Sequence, residues 1–355
     1  MQLSKSKRLY FIDALRAFAI LMMLQGHFIS GLLLPELKAS TEPLYRFWLY
    51  CRGFTAPVFF TITGWIFTYL LMKNPVQGKQ NPRLKKGLQR MLELLFWGYL
   101  LRLNLPMLFK GKINPSFLMP DVLQIIGLSL GVIVLCYLLF FSLKKKIGLL
   151  FILFGTLIFL TEPLYVDASF TDLPKFISAY FTKANGGVFY LFPWLGYVFF
   201  GGGIACLFNA QTRQLSRWAI GSVILGTGLI FYSSTLLIHL FDTTGIELFK
   251  SVAYNNFLFI RLGDVFVLFG VFMLLNRFFK NGFWVRVGQE TLSLYIVHYF
   301  ILYGSLFGVG IYKFYKYSFT FTEAIVGALL FIGVCLGVVF TYPLVQREMS
   351  KLKNR

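Results

Sequence analysis

The residues best placed to do chemistry lie in the first long apolar segment, residues 10–34. This segment carries Asp13, Arg16 and His27 among apolar neighbours. In a helix, Asp13 and Arg16 are one turn apart, and Arg16 and His27 are three turns apart and nearly in phase. One helical face would then present an acid–base pair near one end and an imidazole about 16 Å further along. Because ionisable groups at membrane depth are costly, such a face indicates a functional site.

His27 is the leading candidate for acid–base or nucleophilic chemistry. The sequence has no G-x-S-x-G elbow, no metal-ligand spacing and no nucleotide-binding fingerprint that would place the chemistry elsewhere. A structural role for His27 stays open on the residues alone. His298 shares a helical face with Tyr295, whereas His239 lies in an otherwise apolar segment, where a structural or interfacial role is more typical.

Further polar and aromatic residues lie in or beside apolar segments, and several have a structural alternative. Asp121 could be a helix N-cap, and Arg261 and Asp264 could simply neutralise each other. The glycine run 201–203 favours either close helix packing or a broken helix beside a cavity. The candidate substrate- or cofactor-binding residues are Arg16, Arg52, Arg90, Arg102, Gln124, Trp194, Gln289, Tyr295 and His298.

The elements that must position these residues are membrane helices. The chain has 355 residues, of which 57% are hydrophobic and 19% aromatic. Its mean hydropathy is +0.70, which is typical of an all-α, polytopic membrane protein in a lipid bilayer. The net charge of +20 does not indicate a nucleic-acid partner, because the basic residues occur in short clusters between apolar segments.

Apolar segments of spanning length predict about ten transmembrane helices in a single membrane domain, residues 1–355. With Met1 placed in the cytoplasm, 21 basic residues fall in inner segments and nine in outer segments. By the positive-inside rule both termini are cytoplasmic, and the protein is a multi-pass protein of the cytoplasmic membrane. The predicted spans are 10–34, 52–72, 91–109, 122–143, 147–165, 188–208, 218–240, 257–275, 291–312 and 321–345.

The motifs together resemble the transmembrane acyltransferase superfamily, which includes the acyltransferase-3 proteins and the heparan-α-glucosaminide N-acetyltransferase-like proteins. The run RLYFIDALRAFAILMMLQGHF looks like the superfamily signature, and Arg16-x10-His27 matches the acyltransferase-3 pattern. Four later motifs look closer to the N-acetyltransferase-like branch: FTAPVFFTITG, DVLQIIG, FPWLGYVFFGG and GQETLSLYIVH. There are two departures. Acyltransferase-3 proteins usually have glycine where Ala17 stands, and the essential histidine of the animal lysosomal members lies beyond the position of His27.

The resemblance implies a membrane-embedded acyltransferase. It would move an acyl group from cytoplasmic acetyl-CoA or another acyl-CoA to an extracytoplasmic saccharide or glycolipid. By the resemblance the acyl group is acetyl, and the reaction uses no metal. The acceptor atom would be a hydroxyl or an amine. Arg16, backed by Arg90, would hold the CoA phosphates, and Asp13 would orient Arg16. His27 would deprotonate the acceptor or carry the acyl group itself.

Two other functions compete with this one. A non-catalytic carrier or flippase for an anionic lipid-linked saccharide would use the same buried arginines as counter-charges. A purely structural membrane scaffold would leave at least six intramembrane ionisable residues without a role. The acyltransferase is therefore the favoured function.

The charge asymmetry predicts which loops are cytoplasmic, among them 73–90, 144–146 and 276–290. In a variant without the native cysteines, Lys85→Cys should stay unmodified when intact cells are treated with a membrane-impermeant maleimide. Lys175→Cys, in a predicted outer loop, should be modified under the same conditions and serves as the control. Strong labelling of Lys85→Cys in intact cells would contradict the orientation.

Overall fold

A computed structural model describes residues 8–168, 170, 172–184, 189–208 and 212–353, without the side chains of 145, 212–214 and 343–353. Several basic residues on which the topology prediction rests lie outside the described residues or side chains: Lys5, Lys7, Lys145, Arg213, Arg347, Lys351, Lys353 and Arg355.

The regular structure of the described residues is helical, and an isolated bridge joins Leu33 to Phe319. The longer helices are α1 (Tyr10–Leu32), α2 (Pro43–Gly53), α3 (Thr55–Lys73), α4 (Pro82–Leu100), α5 (Val122–Phe140), α6 (Ile147–Leu160), α7 (Leu191–Leu207), α8 (Thr212–Thr244), α9 (Glu247–Tyr254), α10 (Phe257–Leu274), α11 (Gly282–Gln289), α12 (Thr291–Tyr303) and α13 (Phe321–Lys353). Short α-helical or 3-10 turns are Pro35–Lys38, Gly78–Gln80, Leu105–Leu108, Pro115–Leu118, Phe141–Lys146, Glu162–Tyr165, Lys175–Ser178, Asn276–Lys280 and Ile311–Tyr315.

Every predicted span overlaps one of these helices, and the protein is an all-helical, multi-pass membrane protein. Three of the apolar helices, α6, α7 and α12, are too short to cross a bilayer on their own. The count of ten spans and the cytoplasmic placement of both termini stay predictions. The described segments that are long and apolar enough to cross a membrane are Tyr10–Leu32, Pro43–Lys73, Pro115–Lys144, Leu215–Thr244, Phe257–Leu274 and Phe321–Tyr342.

The predicted third span, 91–109, has the wrong bounds. α4 begins nine residues earlier, at Pro82, because the side chain of Asn81 caps it by accepting a hydrogen bond from the backbone N–H of Arg83. The prediction began at the first continuous apolar run and missed this N-cap, since the first turns of α4 carry many charged residues. The predicted ninth span, 291–312, is too long, because α12 ends at Tyr303.

Contacts between residues divide the chain into two compact units. The terminal unit is Met1–Thr55 with Val271–Arg355, and the central unit is Ala56–Gly270. The single domain over residues 1–355 therefore stays a prediction.

α1 is the central helix of the terminal unit, where it contacts α2, α11, α12 and α13. The backbone N–H of Phe11, in its first turn, donates a hydrogen bond of 2.9 Å to Oδ1 of Asn276. α11 packs so closely against this end that a β-carbon on Gly288 would collide with the carbonyl oxygen of Asp13. At the other end, Phe319 exchanges backbone hydrogen bonds with the residues that finish α1. α1 is therefore fixed at both ends.

In the central unit, α3 and α7 touch backbone to backbone. A β-carbon on Gly64 of α3 would collide with the carbonyl group of Val198, and one on Gly201 of α7 would collide with the carbonyl oxygen of Thr61. α7 itself is unbroken from Leu191–Leu207. Of the two expectations for the glycine run 201–203, close helix packing is the one that is confirmed.

Gly201→Ala should destabilise the protein, because the added methyl group has no space against the backbone of α3. Overpacking of this kind costs about 1–3 kcal/mol. The measurement is the fraction of monodisperse protein that remains after heating, read by size-exclusion chromatography. Gly228→Ala on α8 is the matched control, since a β-carbon there has no atom within 4 Å. Identical melting curves for the two variants would show that α3 and α7 do not make this contact.

Candidate active site

His27 is hydrogen-bonded to the last residue of α12. Its Nδ1 lies 2.8 Å from the hydroxyl oxygen of Tyr303, and the two rings meet edge to face with their centroids 6.0 Å apart. His27 itself is partly exposed. Because Nδ1 is engaged by the phenol, proton or acyl transfer by His27 would use Nε2.

A second imidazole lies beside His27. The ring centroids of His27 and His298 are 5.4 Å apart in an edge arrangement, and His298 is 0% exposed. Neither ring nitrogen of His298 makes a hydrogen bond of normal geometry within the described part of the chain, although the carbonyl groups of Leu294 and Tyr295 are near. Burial without such bonds is unfavourable for an imidazole. Of the two histidines, His27 is the one whose side chain is partly exposed.

Tyrosines form a stripe along α12 beside these histidines. Tyr295, Tyr299 and Tyr303 follow at four-residue intervals, with successive ring centroids 5.9 Å and 4.9 Å apart. Tyr295 also packs edge to face on His298 at 4.9 Å, which confirms that they share a face. Directly after the stripe, Gly304 has a φ of 68°, and a β-carbon there would collide with the backbone of the following loop. This turn requires glycine, ends α12 and fixes the position of Tyr303.

Arg16 and Asp13 lie near the first end of α1. Nη2 of Arg16 donates a hydrogen bond of 2.8 Å to Oγ1 of Thr291, the first residue of α12. Asp13, which is buried, accepts one of 2.8 Å from Nε of Arg8. The ion pair found for Asp13 is thus with a residue just before the helix. The orientation of Arg16 by Asp13 stays a prediction.

Arg52 lies against α1 at the level of the histidines. A β-carbon on Gly26 would be 3.4 Å from Cγ, Cδ and Nε of Arg52, so the arginine side chain runs across this glycine. One turn earlier on α2, Nε1 of Trp48 donates a hydrogen bond of 2.7 Å to Oε1 of Gln25. The guanidinium of Arg52 also interacts electrostatically with the hydroxyl of Tyr303. The structure therefore places this predicted binding residue beside Gly26, the residue that precedes His27.

Arg102 and Gln124 belong to the central unit, where both meet Asp121. Arg102 forms an ion pair with Asp121 at 2.9 Å. Asp121 is also the N-cap of α5, in a capping box with Gln124, which confirms the N-cap alternative for Asp121. Gln124 is completely buried, and its Nε2 has no hydrogen-bond partner among the described residues.

The other predicted binding residues are spread over both units. In the central unit, Arg90 forms an exposed ion pair with Glu93 at 2.8 Å, and Trp194 stacks on Phe60 with centroids 5.0 Å apart. In the terminal unit, Gln289 is exposed at the end of α11.

In the central unit, Arg261 and Asp264 form an ion pair at 3.0 Å, as their spacing predicted. Among the described residues, no cluster of three His, Cys, Asp or Glu side chains could hold a metal ion.

A comparison with protein-family models decides what kind of protein carries this arrangement. The model described as "Heparan-alpha-glucosaminide N-acetyltransferase, catalytic" matches residues 8–243, well over half of the chain. This chain belongs to that family. No curated protein and no solved structure matches it.

Membership of the heparan-alpha-glucosaminide N-acetyltransferase family confirms the resemblance seen in the motifs and makes the protein a membrane acyltransferase. The matched region contains α1 with Asp13, Arg16 and His27, and it ends before α12. The partners that α12 supplies to α1 are therefore a finding of the structure and not of the family match.

Sequence reasoning missed three residues that the structure places at the site: Tyr303, Thr291 and Trp48. Each contacts α1 from another helix, and no local spacing reports such a contact. One signal was nevertheless present. The tyrosines of α12 recur every four residues next to His298, which indicates an aromatic face and not scattered interfacial anchors.

The difference in exposure between the two histidines predicts their reactivity. Diethyl pyrocarbonate should modify His27 in the folded protein and leave His298 unmodified, with peptide mass spectrometry as the readout. His239, which is exposed on α8, should react and serves as a positive control, and unfolding should make His298 reactive. If His298 in the folded protein reacts as fast as His27, the burial described above is wrong.

Proposed function

We propose that the protein transfers an acyl group, acetyl in the first instance, from acyl-CoA to a hydroxyl or amine of a saccharide or glycolipid. The observation that carries the proposal is the hydrogen bond between His27 and Tyr303, on a helix whose other end presents Arg16, in a chain of this acyltransferase family. The basic asymmetry of the sequence supports a cytoplasmic donor and an extracytoplasmic acceptor in the cytoplasmic membrane.

At the donor end, the proposed ligand of Arg16 is a phosphate of CoA. Arg16 is partly exposed, and a planar guanidinium is suited to binding a phosphate through several N–H donors. The rise from Arg16 to His27 is about 16 Å along the helix. An extended pantetheine arm has a similar length, so its thioester would reach the imidazole.

At the acceptor end, His27 is proposed as a general base or as an acyl carrier. For Nε2 of the neutral ring to be basic, Nδ1 must hold the proton and donate it to the oxygen of Tyr303. As general base, Nε2 takes the proton of the attacking amine or hydroxyl while the C–S bond of the thioester breaks. As acyl carrier, Nε2 itself attacks the thioester, and the acceptor then removes the acyl group from the imidazole.

The alternative is a carrier or flippase for an anionic lipid-linked saccharide. It would use Arg16 and Arg52 as counter-charges and would consume no acyl-CoA. Family membership favours the acyltransferase, and release of free CoA by the purified protein separates the two functions directly.

His27→Ala should abolish transfer of acetyl from acetyl-CoA to glucosamine while acetyl-CoA still binds. General acid–base catalysis is worth about 10²–10⁴-fold, so a loss of less than about tenfold would be too small for the proposed role. The measurements are turnover of purified protein, as CoA release and product mass, and binding of radiolabelled acetyl-CoA. His239→Ala, on α8, should have a mild effect and is the matched control.

Arg16→Ala is the second variant in the same experiment. It should weaken acetyl-CoA binding while the protein stays folded. Arg16→Lys should rescue binding only in part, because an ammonium lacks the planar fork. If His27→Ala keeps its turnover and His298→Ala loses it, the reacting histidine is on α12. If the wild-type protein releases no CoA under any condition, the carrier function replaces this proposal.

A further inference from the structure

Arg52 is an exposed cation whose stem packs against α1 beside the candidate site. Within the described part of the chain, no Asp or Glu lies within ion-pair distance of it, in contrast to Arg8, Arg102 and Arg261. Its guanidinium carbon lies 5.9 Å from the centre of the Trp48 ring, and its charge interacts with the hydroxyls of Tyr45 and Tyr303. A cation held among aromatic rings without a counter-ion is suited to an anion that arrives with the reaction.

The position of Arg52 is built into the contact between α1 and α2. Its aliphatic stem crosses Gly26, where any side chain larger than a methyl group would fill the space of Cγ, Cδ and Nε. The bond from Trp48 to Gln25 fixes α2 against α1 one turn away. The stem of Arg52 therefore lies along α1, across the residue that immediately precedes His27.

We infer that Arg52 binds the oxyanion that forms at the acyl carbonyl during transfer, which makes it a catalytic residue. This inference rests on the proposed function. When the amine or hydroxyl of the acceptor attacks the thioester carbonyl, a C–N or C–O bond forms and the carbonyl π electrons move to oxygen. The oxyanion pairs with the guanidinium of Arg52, and the proton of the acceptor goes to Nε2 of His27. When the intermediate collapses, the C–S bond breaks and CoA leaves as the thiolate, which takes the proton from His27.

The same assignment holds if His27 carries the acyl group, because both half-reactions pass through a tetrahedral oxyanion. The neighbouring polar groups are less suited to this role. The hydroxyl of Tyr303 is engaged with Nδ1 of His27, and His298 is fully buried behind it. A fixed charge aimed at a developing oxyanion is commonly the largest single contribution to catalysis of acyl transfer.

The test is steady-state kinetics of the purified full-length protein with acetyl-CoA, with water and with glucosamine as acceptors. Arg52→Gln should lower kcat by about 10²–10³-fold for both acceptors and change KM for acetyl-CoA by less than about threefold. Arg52→Lys should be intermediate, because it keeps the charge and loses the fork. Arg46→Gln, an exposed arginine on the same helix, should behave as wild type.

A second series keeps the test decisive if Arg52→Gln does not fold. Gly26→Ala places a methyl group in ordinary contact with the stem of Arg52 and should cause a small loss of kcat, whereas Gly26→Leu displaces the stem and should cause a large one. A kcat near wild type in Arg52→Gln or in Gly26→Leu overturns the inference. So does a loss confined to KM for glucosamine, which would make Arg52 a binding group for the acceptor. A wild-type protein that never turns over acetyl-CoA contradicts the proposed function instead.

Discussion

The site depends on two hydrogen bonds that join α1 to α12, one near each end of the pair. Arg16 bonds to Thr291 and His27 bonds to Tyr303. The two bonded residues are eleven positions apart on α1, and their partners are twelve positions apart on α12. Two helices that meet in this order lie side by side and run in the same direction. Such pairing places the imidazole of His298 beside that of His27.

Polar groups at membrane depth are stable only where their partners are fixed, and the terminal unit supplies such partners through side chains distant in sequence. Asn276 caps α1, Trp48 bonds to Gln25, and Tyr303 bonds to His27. The buried ring of His298, whose nitrogens make no hydrogen bond of normal geometry among the described residues, is in an unfavourable environment. Unfavourable environments of this kind cluster where a protein acts on a ligand.

Sequence reasoning was most successful where the information is local. The phase of Asp13, Arg16 and His27 follows from a 3.6-residue period, and α1 is one continuous helix over Tyr10–Leu32. The position of Tyr303 could not be derived, because it depends on a contact 276 residues apart in sequence. The start of α4 was missed for a different reason: a membrane protein can begin a helix in charged residues, and apolar length alone does not detect it.

The continuity of α1 has a consequence for the choice of donor. With no kink between them, Arg16 and His27 are held about 16 Å apart along the helix axis. This spacing is set by backbone hydrogen bonds and not by side chains that can adapt. If Arg16 and His27 bind the donor as proposed, the donor is selected by its length as well as by its charge. Under that proposal a compact acyl phosphate would contact the arginine or the imidazole but not both, whereas a donor with a long flexible arm would reach both residues at once.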